Sequence, residues 1–140
     1  MAAIIGIGIT RFAPQLDRTI VSLAMEAGRA ALKDAELRPA GIDCGFFANA
    51  LGGRLFGDST IGQVAFAGLG CERIAVVNVE NACTSGSSAF YLARLAVDSG
   101  EADVALVLGS EKMCVPGLGL IDSGRSDVAT QDTGIITRCT

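Results

Sequence analysis

The chain of 140 residues contains no histidine. No Ser-His, Cys-His or His-metal arrangement can therefore be completed within it, and any imidazole used in catalysis must come from another polypeptide. Aromatic residues make up only 5%, so the core has to be built from Ala, Val, Ile and Leu. Cysteines number 5, an odd count with no Cys-x-x-Cys spacing, which argues against a disulfide framework, a zinc site or any bound metal. Basic charge is short as well. The net charge of −4 offers no surface for phosphate backbones, so no nucleic-acid partner is expected. Every apolar run is broken by Gly, Arg, Asp or Ser before it reaches membrane-spanning length, and no membrane partner is expected. The opening Met-Ala-Ala-Ile-Ile-Gly lacks a basic n-region, so a cytoplasmic protein without a signal peptide is the expectation.

What is present is an alternation of two periods. Residues 2–10 carry Ile4, Ile5, Ile7 and Ile9 with Gly6 and Gly8 between them, and read as a first strand in close contact with neighbouring backbone. Asp17 is placed to cap a helix reaching about Glu36, with Ile20, Leu23, Ala24, Ala27, Ala30, Ala31 and Ala35 on its apolar face. Pro39-Ala-Gly41 ends that unit, and residues 42–51 read as a second strand in which Cys44 is a small core residue. Residues 52–57 read as a loop. Asp58 or Ser59 is then placed to cap a helix through Leu69, with Ile61, Val64, Ala65 and Phe66 inward and with Gly68 and Gly70 as its stop. Residues 74–81 and 104–109 are apolar runs of the buried parallel type, separated by a helix. The rhythm predicts an α/β protein with a mostly parallel sheet, helices on both faces and right-handed crossovers. Two glycine pairs resemble the start of a dinucleotide fingerprint, Gly6-Ile-Gly8 and Gly117-Leu-Gly119. Arg11 and Asp122 stand where the third glycine would fall, so neither is read as a nucleotide site.

The chemistry concentrates where the run Ile74-Ala-Val-Val-Asn-Val-Glu-Asn81 changes into a helical pattern. Cys83 sits at that change. A thiol there is presented on a turn and faces the unpaired N–H groups and positive dipole end of a helix, which favour thiolate. Asn81-Ala-Cys-Thr-Ser-Gly86 resembles a nucleophile elbow. Asn81 suits left-handed backbone two residues before the thiol, and Gly86 lets the helix start pack closely. The backbone N–H of Cys83 or its neighbours is placed to hold an oxyanion. The following helix carries Ala89, Phe90, Leu92, Ala93, Leu95, Ala96 and Val97 around most of its circumference. It reads as a helix sandwiched between two sheets, the second of which lies outside these residues.

Val79-Glu-Asn-Ala-Cys-Thr-Ser-Gly-Ser-Ser-Ala89 resembles the segment of the thiolase family that carries the acyl-accepting cysteine, in particular the sterol-carrier-protein thiolase type. Residues 3–12 look like the first strand of that branch, and residues 106–113 like the strand after the nucleophile helix. The resemblance implies an incomplete thiolase-type half at residues 1–115, with residues 116–140 as an irregular tail. It implies acyl transfer between CoA thioesters through a covalent acyl-cysteine at Cys83, supported by Asn81 and Gly86. CoA thioester enters as substrate, and no resident cofactor is expected. A second half would supply the activating histidine and a second acid/base cysteine. It would arrive from a separate chain, or the protein would act as a homodimer paired through the strand before the nucleophile. Cys71 is read as structural, and Cys114 and Cys139 receive no role. Two other readings stand beside this one: a non-catalytic fragment serving as an interaction piece, and a subunit of a thiolase-like acyl-CoA lyase.

Overall fold

The computed structural model describes residues 1–113, so Cys114, Cys139, the second glycine pair and the 116–140 segment lie outside the described residues. The centre is a short strand, β1 (Cys44–Ala48), flanked by β2 (Ala75–Val79) and β3 (Ala105–Gly109) in the order β2-β1-β3, all parallel. Phe47 faces Asn78 on one side and Leu108 on the other in this register. Side chains alternate across a strand, so β1 serves two cores. Phe47 joins Leu106, Leu108, Ala65, Phe66, Leu69 and Ala24 on one face, under the helices α1 (Ile20–Asp34) and α3 (Ile61–Leu69). Phe46 and Ala48 join Val79, Ala89 and Ala93 on the other, under α4 (Ser85–Asp98). The predicted parallel sheet with helices on both faces is therefore present.

The change of face follows from the strand order. The step from β1 to β2 runs outward through α3, and the step from β2 to β3 runs back past β1 through α4. A constant crossover hand through a reversal of direction places the two connections on opposite faces.

Local chemistry sets the element ends differently from expectation in several places. The N-cap of α1 is Thr19, whose hydroxyl accepts the Ser22 N–H at 3.0 Å, and not Asp17. Residues 52–56 form one helical turn, α2 (Gly52–Phe56), where a loop was expected. Neither Asp58 nor Ser59 caps α3. Asp58 accepts both the N–H and the hydroxyl of Thr60, which holds its carboxyl below the usual range, first through the hydroxyl and then through the N–H. The first turn of α3 is instead met from the sheet, where Asn78 accepts the Gly62 N–H at 3.2 Å and donates to the Ser59 carbonyl at 3.0 Å. Val64, expected inward, is exposed, and Gly68 lies within α3, which ends at Gly70 with φ 85°.

The largest departure is at the N-terminus. Residues 2–10 form no strand. The two glycines do mark a close backbone approach, but to a helix. A Cβ on Gly6 would stand 2.6 Å from the Ala31 carbonyl oxygen, and one on Gly8 would stand 2.2 Å from that of Ala27. The Ile7 N–H is taken by Asp34 at 2.9 Å and the Ala2 N–H by Asp98 at 2.6 Å. The segment crosses beside β3, leaving a cavity of about 360 Å³ between them and its isoleucines exposed.

Gly45 is a point of close approach between the sheet and α3. A Cβ there would lie 2.5 Å from the ring of Phe66, which is itself fully buried. Gly45→Ala is expected to destabilise by about 1–3 kcal/mol through overpacking, and Phe66→Ala by about 3–5 kcal/mol through the cavity it leaves. The double variant removes the clash, so its loss in urea unfolding should fall short of the sum by at least about 0.5 kcal/mol. Strict additivity would show that the ring and the glycine are not in energetic contact.

Candidate functional site

β2 ends in the buried Val79, whose carbonyl accepts the Asn49 N–H from the end of β1 at 3.2 Å. Connections leave these neighbouring strands toward opposite faces. Their C-terminal ends therefore flank the kind of crevice in which open α/β sheets bind ligands. A cavity of about 170 Å³ lies there, lined in part by Asn49, Asp58, Asn78 and Glu80. The larger cavity beside the N-terminal segment touches no residue of the turn.

From Asn81 the chain turns sharply. The Asn81 carbonyl accepts both the Thr84 N–H (2.9 Å) and the Thr84 hydroxyl (2.7 Å), and the Ala82 carbonyl accepts the Ser85 N–H (3.2 Å). The left-handed residue is Ala82, at φ 44°, immediately before the thiol. It was expected at Asn81. Asn81 instead spends its side chain on the helix, donating to the Ser88 hydroxyl at 2.8 Å. A left-handed residue with a Cβ costs about 1–2 kcal/mol, so the surrounding bonds have to offset it.

Cys83 is exposed on this turn. Thr84, the residue before α4, makes no side-chain cap, and the N–H groups of Gly86 and Ser87 have no hydrogen-bond partner among the described residues. That end of α4 thus presents free donors and a positive dipole end. A Cβ on Gly86 would meet nothing within 4 Å, so the close packing expected there is not found among the described residues. The space at Gly86 is open among the described residues. The other two described cysteines differ. Burial pushes the Cys71 thiol up, and burial followed by the charge of Asp43 does the same to half-buried Cys44.

The sequence reading passed over two groups at this end of the sheet. Glu111 accepts the N–H groups of Ala50 (2.8 Å) and Leu51 (3.2 Å) and the Asn49 amide (3.2 Å), tying the ends of β1 and β3 together. A polar Ser-Glu-Lys run directly after a buried strand was the available signal. Ser85 is the other, the one buried polar side chain among the described residues. Its flanking small residues disguised it as filler. No group of three or more His, Cys, Asp and Glu among the described residues could hold a metal ion, and no described helix is long and apolar enough to cross a membrane.

Comparison with known proteins bears directly on this turn. The family model "Thiolase, N-terminal domain" matches residues 2–132. Human sterol carrier protein 2 is 39% identical over 127 residues, covering 88% of this chain and 22% of the relative. An acetyl-CoA acetyltransferase of Methanocaldococcus jannaschii is 40% identical over 111 residues, covering 79% of this chain and 28% of the relative. The chain thus spans about a fifth to a quarter of the length of these relatives. Among solved structures, an "Ltp2-ChsH2(DUF35) aldolase" superposes with a TM-score of 0.69 at 25% identity, over 92% of this chain and 31% of the other. The parallel sheet, the turn after β2 and the match across nearly the whole sequence lead to one conclusion: the chain belongs to the thiolase family, to whose N-terminal domain it corresponds.

Proposed function

We propose that Cys83 is the acyl-accepting nucleophile of a thiolase-type acyltransferase acting on CoA thioesters. The observation that carries this is the exposed thiol on a left-handed turn at the uncapped start of α4. In the proposed step the Cys83 sulfur attacks the thioester carbonyl carbon and a new C–S bond forms. The bond to the CoA sulfur breaks, and CoA leaves with the electron pair and takes up a proton. The free N–H groups of Gly86 and Ser87 at the α4 start are donors available to the oxyanion. Asn81 holds the first turn of the helix through Ser88, and the space at Gly86 is open among the described residues.

These 140 residues hold no imidazole. On this reading the base that takes the Cys83 proton, and returns one in the second half-reaction, belongs to another polypeptide or to protein outside this sequence. The face of α4 away from the sheet supports such a partner. Tyr91 is 54% exposed, and Leu92 and Leu95 lie on the same flank at helical spacing. A contiguous apolar surface of this kind marks an interaction site. A second reading, carbon–carbon cleavage with a partner subunit, is favoured by the similarity to the aldolase structure. It uses the same cysteine turn.

Iodoacetamide at neutral pH should modify Cys83 several-fold faster than Cys44 or Cys71, read by peptide mass spectrometry. Equal rates would sink the activated site. Incubation with a short acyl-CoA should leave an acyl adduct on the Cys83 peptide and release CoA once per chain without turnover. The adduct should be absent from Cys83→Ala, and the same adduct yield in that variant would refute the assignment. Product from a β-hydroxyacyl-CoA by carbon–carbon cleavage, with a partner chain added, would favour the second reading.

A further inference from the structure

The face that α4 buries is a single stripe, Ser85, Ala89 and Ala93, spaced by one helical turn. Alanine would extend the stripe through its first position with no change in packing volume, and a hydroxyl there is costly to bury unless bonded. Ser85 is only 5% exposed, and its hydroxyl is engaged on both sides. It accepts the Asn81 N–H at 2.8 Å and donates to the Ala82 carbonyl at 2.8 Å. The two bonds bracket the residue at φ 44° and reach the peptide unit that leads into Cys83. No other side chain among the described residues bonds to the backbone on both sides of Ala82.

We infer that Ser85 is a positioning residue for Cys83, a hydroxyl staple that keeps the left-handed turn closed and the thiol in front of the α4 start. The inference rests on the nucleophile reading above and adds a residue to it. Ser85 touches no reacting atom; it acts through the backbone of Ala82. Without the staple, Ala82 relaxes toward the ordinary right-handed region and the thiol is no longer held at the α4 start.

The test is the ratio of alkylation rates at Cys83 for iodoacetate and iodoacetamide. Both reagents consume the same thiolate, so the ratio cancels the thiolate fraction and reports how strongly the site attracts an anion. Ser85→Ala should lower the ratio about two- to fivefold, the range of helix-end electrostatics. Ser85→Thr, which keeps the hydroxyl, should hold the wild-type ratio. Protection of Cys71 is followed in parallel, because general loosening exposes that buried thiol without changing the ratio at Cys83. If Ser85→Ala does not fold, Ala82→Gly/Ser85→Ala is compared with Ala82→Gly alone, since glycine takes a positive φ without strain. A wild-type ratio retained in Ser85→Ala, or a ratio lost equally in Ser85→Thr, overturns the staple. If Cys83 in the wild type is no faster toward iodoacetamide than Cys44 or Cys71, the nucleophile reading fails first and the staple with it.

Discussion

A parallel strand buried on both faces has no solvent side on which to place a misfit, and β1 carries that constraint for the whole sheet. Gly45 yields its volume to Phe66, Phe47 fills the layer under α1 and α3, and Phe46 and Ala48 pack beneath the alanines of α4. The fully buried side chains of Phe47 and Phe66 each contribute about 2–3 kcal/mol of transfer free energy. They fix the register of β1, because a slip of one residue would put Cys44 or Phe46 where Gly45 makes room for the Phe66 ring. With β1 central, the chain steps out to β2 and back to β3, and the two helices must lie on opposite faces. The position of Cys83 is a consequence. It stands at the reversal, where the chain leaves the sheet for its other side.

That turn combines features that oppose one another. A sharp exit from β2 puts a residue with a Cβ at positive φ, and a helix start without a side-chain cap leaves donors unsatisfied. Each is unfavourable alone. Bonds from Thr84 and Ser85 to the carbonyls of Asn81 and Ala82 offset the first. The second persists, which is what an anion-accepting site requires. Strain held by a local network beside uncommitted N–H groups is, on the proposed reading, the pattern of a pre-organised site, and the exposed cysteine stands there while Cys44 and Cys71 lie in or against the core.

The parts legible in the sequence were those set by period. Runs such as 104–109 announce buried parallel strands, the switch after Asn81 announces the strand-to-helix turn, and the resemblance around Cys83 identified the family. The rest depended on which partner a group would find. Asp17 and Thr19 are both competent caps, and only the course of the chain chose Thr19. Gly6 and Gly8 correctly indicated a close backbone approach, yet a glycine does not specify whether strand or helix comes close. Asn81 has the higher left-handed propensity, but its side chain is better used on Ser88, so the positive φ moved to Ala82. Ser85 looked like one small residue among several because burial and bonding are tertiary facts.

The helix that carries the site also carries its unmet requirements. α4 buries Ser85, Ala89 and Ala93 against the sheet and leaves Phe90, Tyr91, Leu92 and Leu95 outward. Arg94 covers part of Tyr91, with its guanidinium 5.6 Å from the ring centre, while Asp98 holds that guanidinium at 3.1 Å. This shields one edge of the patch and leaves the remainder apolar. On the proposed reading, an acyl-accepting thiol without a base and an apolar helix face left exposed among the described residues are separate deficits, one chemical and one hydrophobic. Both are located on one 14-residue element, with the thiol at its start and the apolar face along its length. A covering surface that seats on Tyr91 and Leu95 would lie within two or three turns of Cys83, about 12–18 Å along the axis. On that reading, burying these side chains would supply association energy, and the geometry of α4 would set where the partner presents a proton acceptor. On the proposed reading, docking brings the base for turnover to a thiol already presented at the helix start, and the exposed face of α4 is part of the catalytic design.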